Sequence, residues 1–197
     1  MKSLQITSNK IIIQGLFFLL LLLSSCAQSN KKESLDDTTK NSKAIVKPNI
    51  DIHAAVLTGN LEAVKQHIEA GTDINKKEAM SGSTPLMSAA TFNKPEIAKA
   101  LINAKADLSL KNNDGGTALH TAAFFGRIEI VQLLIDAKAN KTIRNNFGAT
   151  PREIVMVDFD QMKPIYEMLT LQLKPMGFSL DLMELQKARP VVAMMLQ

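Results

Sequence analysis

The chain has 197 residues, of which 46% are hydrophobic and 21% charged, and its formal net charge is +4 at pH 7. This apolar content can build one domain core, and the length excludes a large multidomain enzyme. One cysteine and three histidines exclude a disulfide framework and a thiolate zinc site, while one tyrosine and no tryptophan leave little of the aromatic surface that single-strand nucleic-acid binders use.

Residues 1–25 have the pattern of a secretory signal peptide. Lys2 and Lys10 precede the apolar stretch IIIQGLFFLLLLL at 11–23, which is shorter than the about 20 residues that a membrane-spanning helix needs. The alternative is a signal anchor that stays uncleaved. The tetrapeptide Leu23-Ser24-Ser25-Cys26 follows, and it resembles the lipobox of bacterial lipoproteins.

The lipobox resemblance implies that Cys26 is the first residue of the mature protein and carries a diacylglyceryl group and an N-acyl chain such as palmitate. Because each buried CH₂ contributes about 0.8 kcal/mol, these chains would hold the protein firmly on a membrane. Ala27 follows the cysteine, and in the family's sorting pattern this residue indicates the outer membrane. We therefore expect a bacterial envelope protein that is lipid-anchored to the outer membrane and faces the periplasm.

Residues 26–47 are predicted to form a flexible tether behind the lipidated cysteine. Leu35 is the only apolar side chain between Gln28 and Lys43, so this stretch cannot bury enough surface to offset its ordering entropy. Its root-mean-square reach would be roughly 25 Å. Removal of Lys2 and Lys10 leaves 21 basic against 19 acidic residues, so bulk charge gives nucleic-acid binding no support.

A pattern with a period of 33 residues follows Pro48 and is the strongest signal in the sequence. Three segments recur at this spacing: TPLM at 84–87, TALH at 117–120 and TPRE at 150–153. Threonine before an apolar segment caps a helix, and proline suits the first turn. Gly59, Asn93 and Gly126 share one position between two predicted helices, where a left-handed backbone is expected. The polar loop at 112–115 is predicted to be a turn or hairpin.

A unit of helix, tight turn, helix and hairpin with this period resembles the ankyrin repeat. The resemblance implies an all-α solenoid over residues 48–173, with about four repeats near 48–82, 83–115, 116–148 and 149–173 joined by short β-hairpin loops. The first and fourth copies are degenerate, as expected where one face of a terminal repeat meets water. Lys105 and Lys138 replace the glycine that usually ends the second helix, at a cost on the order of 1 kcal/mol each if they are left-handed.

Residues 174–197 fall outside the period. Pro175 and Gly177 are predicted to end the preceding helix, and another helix of about ten residues is predicted between Ser179 and Pro190. We expect a helix that caps the last repeat. A hydrophobic tail that docks on another surface, or a disordered tail, are the alternatives.

The histidines have structural explanations. The ankyrin resemblance implies that His53 and His120 bond backbone groups between repeats, and His67 takes a place that Leu101 and Leu134 hold in later copies. A metal site would require His53, His67 and a carboxylate to converge, which we do not expect. No nucleophile has a recognisable base or orienting partner. We therefore predict no catalytic residue, no metal, no cofactor and no small-molecule substrate.

In ankyrin proteins, ligands dock on the concave face formed by the loop tips and the first helices, and the resemblance carries that role to side chains that stacking does not require. The candidate partner-binding residues are Leu57, Thr58, Lys77, Met80, Ser81, Thr91, Phe92, Lys111, Asn113, Asp114, Phe124, Phe125, Arg144, Asn146 and Phe147. The phenylalanines are predicted to be exposed hot spots with a basic rim. The alternative is that their rings pack between repeats.

The expected function is a non-catalytic, membrane-anchored and monomeric module that binds an unidentified protein partner on its concave face. The alternative is an accessory or inhibitory, immunity-like subunit of an extracytoplasmic enzyme, such as an oxidative-stress enzyme or a toxin. Some bacterial extracytoplasmic ankyrin proteins occur beside such enzymes, and this resemblance concerns the fold alone. Direct catalysis and nucleic-acid binding are disfavoured.

Overall fold

The computed structural model describes residues 48–197, and in this range it contains nine α-helices and no β-strand. In chain order the helices are α1 (Ile52–Leu57), α2 (Leu61–Glu69), α3 (Pro85–Thr91), α4 (Pro95–Asn103), α5 (Ala118–Phe124), α6 (Ile128–Asp136), α7 (Pro151–Met156), α8 (Phe159–Leu173) and α9 (Leu182–Met195). A short 3₁₀ helix, Lys174–Met176, lies between α8 and α9. The predicted signal peptide at 1–25, Cys26 and the tether at 26–47 lie outside the described residues.

The predicted helix pairs form a stacked solenoid. The first helices α1, α3, α5 and α7 pack in a row, and the second helices α2, α4 and α6 pack in a parallel row behind them. The turns inside the pairs place Gly59, Asn93 and Gly126 at φ values of 73°, 52° and 63°. Lys105 and Lys138 are also left-handed, at 66° and 65°. The all-α repeat architecture is therefore confirmed.

The core of the solenoid follows from its sequence pattern. Leu86 and Leu119 are buried at one matching position of the second and third repeats, and Leu101 and Leu134 are buried at another. Paired alanines on the first helices of these repeats are also buried, and their small side chains let neighbouring helices approach closely. Thr84 and Thr150 cap α3 and α7, respectively, by accepting the N–H three residues further on. Each repeat buries its apolar stripe only against its neighbours, so stability comes from stacking.

The predicted β-hairpin loops are turns without paired strands in the described range. The Asn112 N–H donates to the Gly116 carbonyl at 2.9 Å, which closes one loop. Neighbouring loops share a single backbone hydrogen bond, from the Asn113 N–H to the Ser81 carbonyl and from the Asn146 N–H to the Asp114 carbonyl, both at 2.9 Å. One bond per pair of loops does not make a strand ladder, which needs alternating pairs of bonds.

The fourth repeat differs from the predicted boundary at residue 173, because α9 and not α8 is the second helix that pairs with α7. Helix α9 packs against both α6 and α7. Its Leu185 and Ala188 lie beside the turn at Gly126, and Lys141 donates to the carbonyl of the C-terminal Gln197. Helix α9 therefore runs from the turn end of the stack to the loop end, as α6 does.

Pro190 does not end the last helix, contrary to the prediction, since α9 continues to Met195. Proline removes one hydrogen bond from the helix, to the carbonyl four residues earlier. That residue, Gln186, is exposed, so water can take the place of the missing donor. The C-terminal segment thus completes and caps the fourth repeat in one helix.

Residues 157–181, called the insert below, occupy the place that a short turn holds in the first three repeats. Tyr166 is the buried side chain of α8, and its hydroxyl donates to the Phe124 carbonyl at 2.9 Å. The buried Arg189 of α9 donates from Nη1 to the Tyr166 hydroxyl at 2.8 Å and from Nη2 to the Val157 carbonyl. Burial raises the pKa of Tyr166, and Arg189 opposes that shift. Tyr166 and Arg189 together fasten the insert to the third repeat.

Candidate functional site

All three histidines contact backbone carbonyls. His120 bonds the backbone of the next repeat, as predicted, with its Nε2 atom 3.1 Å from the Ala149 carbonyl. His53 differs from the prediction, because its Nε2 atom lies 2.8 Å from the carbonyl of Lys76, which belongs to the same repeat. His67 is buried, with Nε2 2.8 Å from the Ile50 carbonyl. Burial lowers the pKa of His120, which favours the neutral ring. Within residues 48–197 no group of three or more His, Cys, Asp or Glu side chains could hold a metal ion.

Three of the four candidate phenylalanines do not form the open surface that the sequence predicted. Phe125 is only 7% exposed, and Phe92 and Phe124 are half-buried. Phe178 of the insert covers Phe92 and Phe125, with ring centroids 6.0 Å and 5.3 Å away. The Tyr166 ring lies 4.8 Å from that of Phe124. The repeat pattern could not reveal this cover, because the insert lies outside the period.

The loop-tip row, defined as residues 77–81, 111–114 and 144–147, remains open. Met80 is 65% exposed and Phe147 is 48% exposed. The Lys77 ammonium donates to the Lys111 carbonyl at 2.5 Å, and the Lys111 ammonium donates to the Arg144 carbonyl at 3.1 Å. These two lysines thus link the three loops in series.

Arg144 is partly neutralised by Glu153 of α7. The two side chains form an ion pair at 2.7 Å. Hydrogen bonds from the Thr150 N–H and from Arg144 lower the pKa of Glu153 to about 2. Because both partners are exposed, the pair contributes little to stability. Its effect is to hold the Arg144 guanidinium against α7. The other charges of the row are those of Lys77 and Lys111 and of the carboxylates Glu78 and Asp114, so the row carries both signs.

Asn113 and Asn146 join the loops and offer little to a ligand. Their side-chain amides donate to the Met80 carbonyl at 2.8 Å and to the Asn113 carbonyl at 2.9 Å, respectively. Ser81 and Asp114 are exposed beside them. These contacts keep the loop-tip row rigid, which reduces the entropy that binding must overcome.

The remaining candidates lie on the first helices, away from the loop tips. Leu57 and Thr91 are half-buried, and Thr58 is exposed. The hydroxyls of Thr58 and Thr91 donate to the carbonyls of Ala54 at 2.8 Å and Met87 at 3.2 Å. Both threonines therefore satisfy backbone groups at the ends of their helices.

Sequence reasoning missed four residues that shape this region: Arg127, Tyr166, Phe178 and Arg189. Arg127 lies at a repeated position, the N-cap of a second helix that Lys94 holds 33 residues earlier, but its contacts with Phe178 do not recur. Tyr166, Phe178 and Arg189 lie in or after the insert, where the repeat predicts no partner. Their contacts bridge segments that are far apart in the chain, as in the 42-residue separation of Tyr166 and Phe124.

Comparison with known proteins supports the repeat assignment. The family model described as ankyrin repeats (3 copies) matches residues 52–145. The chain is 41% identical over 80 residues to the human Protein phosphatase 1 regulatory subunit 27, covering 40% of this chain and 51% of that protein. It is 46% identical over 65 residues to the Schizosaccharomyces pombe Ankyrin repeat-containing protein P1E11.10, covering 32% of this chain and 30% of the relative.

A solved structure shares the same architecture. The crystal structure of the ankyrin repeat domain of Bcl-3, titled a unique member of the IkappaB protein family, aligns with a TM-score of 0.51 and 29% sequence identity. The alignment covers 52% of this chain and 45% of that one. The chain therefore spans about half the length of the human phosphatase regulatory subunit and about half of the Bcl-3 domain chain. In both comparisons the similarity lies in the ankyrin repeats.

Proposed function

From the ankyrin repeats that residues 52–145 form, we propose that this protein is a non-catalytic, monomeric module whose partner protein docks on the loop-tip row. The observation that carries this proposal is the exposure of two large apolar side chains, Met80 and Phe147, at the two ends of the loop-tip row. Apolar anchors within a polar rim are typical of protein interfaces. Because the row contains Lys77 and Lys111 as well as Glu78 and Asp114, it favours a partner whose rim carries charges of both signs at complementary positions.

The binding role is tested with the double variant Met80→Ser, Phe147→Ser. Both side chains are exposed, so the variant should fold normally, while loss of two apolar anchors should weaken partner binding at least about tenfold. The wild-type chain is used to capture and identify a partner, and the dissociation constants of both chains for that purified partner are then measured by calorimetry.

A matched control carries Leu171→Ser with Met183→Ser. These residues are at least as exposed as Met80 and lie outside the loop-tip row, so the control should bind the partner as the wild type does. Equal affinity of the Met80, Phe147 variant and the wild type would contradict the proposed docking surface, as would equal losses in both double variants.

The membrane anchor is a separate part of the proposal. We propose that Cys26 is lipidated and holds the module on the bacterial outer membrane, facing the periplasm. It rests on the position of the chain's single cysteine directly after Leu23-Ser24-Ser25 at the end of an apolar segment. Among the helices of residues 48–197, none has the length and apolar character needed to cross a bilayer.

Cys26→Ser should abolish lipidation, because it removes the thiol that would be acylated. Ser25→Ala should preserve lipidation, because it keeps the cysteine and a small residue before it. Both variants are expressed in a bacterial host fed a clickable palmitate analogue, and label incorporation and partitioning into detergent are measured. Label on the Cys26→Ser protein would refute the anchor. Partitioning is compared only alongside the label, because an uncleaved variant keeps the apolar stretch at 11–23 and enters detergent through it. Membrane fractionation of the wild type then assigns the inner or the outer membrane.

A second candidate function is an accessory or inhibitory subunit of an extracytoplasmic enzyme. One observation favours it: a relative that matches the repeats is named as a regulatory subunit of a protein phosphatase. The match covers about half of that protein and does not identify an enzyme partner for this chain. If the captured partner is an enzyme, such as an oxidative-stress enzyme or a toxin, a change in its rate on binding would support this role.

A further inference from the structure

A small cleft lies where the first helices of the second and third repeats end. Phe92 and Phe125 are the C-cap residues of α3 and α5, and Arg127 precedes α6. The Arg127 guanidinium donates to the Thr91 carbonyl at 3.2 Å and its Cζ lies 5.8 Å from the Phe125 ring centroid. We call these three side chains, Phe92, Phe125 and Arg127, the aromatic cleft.

The aromatic cleft already holds an aromatic side chain from the same chain. Phe178 is only 4% exposed, and its ring meets Phe92 at an interplanar angle of 90° and Phe125 at 63°. Arg127 Cζ lies 5.8 Å from the Phe178 centroid. Edge-to-face rings and a cation near a ring face are favourable geometries. In this arrangement two aromatic rings and one guanidinium contact the ring of Phe178.

Phe178 is the one buried side chain of residues 174–181, which join α8 to α9. Gly177 and Ser179 on either side are exposed, and Gly177 has a φ of 80°, which gives the chain a sharp bend. The Phe178 N–H bonds within the insert, to the Leu173 carbonyl at 3.3 Å. Among the described residues this segment makes no backbone hydrogen bond to the repeats, so release of the Phe178 ring would break no backbone bond of the stacked helices.

Arg127 is incompletely satisfied by the segment that now covers it. Its Nε atom is buried without a hydrogen-bond partner among the described residues, and burial lowers the pKa of Arg127 to about 10. The carboxylate nearest in sequence to Phe178, that of Asp181, instead caps α9 by accepting the Met183 N–H at 2.8 Å. A ligand with a carboxylate beside its aromatic ring would supply the missing acceptor.

We propose that the aromatic cleft is a second protein-binding site, for a partner segment that presents an aromatic side chain next to a carboxylate, and that Phe178 occupies this site in cis. Such a segment competes with Phe178 and displaces it. The site is separate from the loop-tip row, and it goes beyond the proposed function because it adds a ligand class and a means of controlling access.

The test uses the full chain carrying Phe178→Ala, in detergent, with a fluorescent peptide of residues 174–181, KPMGFSLD. The peptide should bind this variant at least about tenfold more tightly than the wild type, because a tethered competitor acts at an effective concentration of about millimolar. A peptide with glutamate in place of Ser179 should bind more tightly again, and Arg127→Gln should remove that gain. A peptide with alanine in place of Phe178 should not bind.

The proposal is overturned if the phenylalanine peptide does not bind the folded variant at about 0.1 mM, the dissociation constant that a tenfold effect of a millimolar competitor requires, or if the alanine peptide binds equally well. If the variant does not fold, hydrogen exchange of the wild type decides. The Phe178 amide, which donates to the Leu173 carbonyl, should exchange at least about 100-fold faster than the amides of α5, through local opening. Exchange of the Phe178 amide at the rate of the α5 amides, by global unfolding, would overturn the proposal. Neither experiment uses the loop-tip row or its partner, so the two proposals can fail independently.

Discussion

Gly126→Ala is expected to lower the free energy of unfolding by about 2–4 kcal/mol. A left-handed φ of 63° costs an alanine about 1 kcal/mol. The new Cβ would also lie 2.7 Å from Leu185 Cδ1 and 3.2 Å from Ala188 Cβ. Leu185 can rotate, but the Ala188 Cβ is fixed to the backbone of α9, so the helix must shift. Overpacking of this kind costs a further 1–3 kcal/mol, and urea unfolding followed by circular dichroism measures the total.

Gly148→Ala is the matched control for this strain. Gly148 is also left-handed, at 76°, but no atom lies within 4 Å of its added Cβ. We expect a loss of only about 1 kcal/mol, from the backbone conformation alone. The difference between the two variants isolates the contact between α9 and the third repeat. Equal losses would show that α9 is not the second helix of the fourth repeat.

Arg189→Ala is expected to destabilise the protein by about 2–3 kcal/mol. The buried guanidinium donates to the Tyr166 hydroxyl and to the Val157 carbonyl, and its Cζ lies 5.7 Å from the Phe159 ring centroid. The variant loses hydrogen bonds from a charged donor, each worth about 1.5–3 kcal/mol, offset in part because a buried charge is removed. Urea unfolding measures the loss, and faster chymotrypsin cleavage after the exposed Leu171 should report loosening of the insert.

Two further variants test whether the hydrogen bonds of Arg189 matter, rather than its positive charge or any change made in α9. Arg189→Lys keeps the charge but lacks the planar fork that reaches both acceptors, so its stability should stay close to that of the alanine variant. Lys187→Ala lies on the same helix, where its exposed ion pair with Glu184 contributes little to stability because solvent screens it. Full rescue by lysine, or an equal loss in Lys187→Ala, would refute the role assigned to the guanidinium.

The exposure of the candidate binding residues could be predicted only where their neighbours in space belong to the 33-residue repeats. Met80, Lys77, Lys111 and Phe147 were predicted from their places in the repeat, and they lie on open loops because adjacent loops pack only on each other. Phe92, Phe124 and Phe125 occupy places that are open in an isolated repeat. The insert covers them, and no rule based on a 33-residue period could predict a segment that occurs once.

The repeat unit could be predicted from the amino-acid pattern alone: its capped helices, its buried leucines and the left-handed turns at Gly59, Asn93 and Gly126. These features depend on contacts within a repeat or with the next one, so they recur at a constant spacing. The pairing of α9 with the fourth repeat, and the packing of Tyr166, Phe178 and Arg189 over the third, became visible only in the folded chain. Those contacts join distant, unrepeated segments, and their energy depends on how separate surfaces fit together in space rather than on local spacing along the chain.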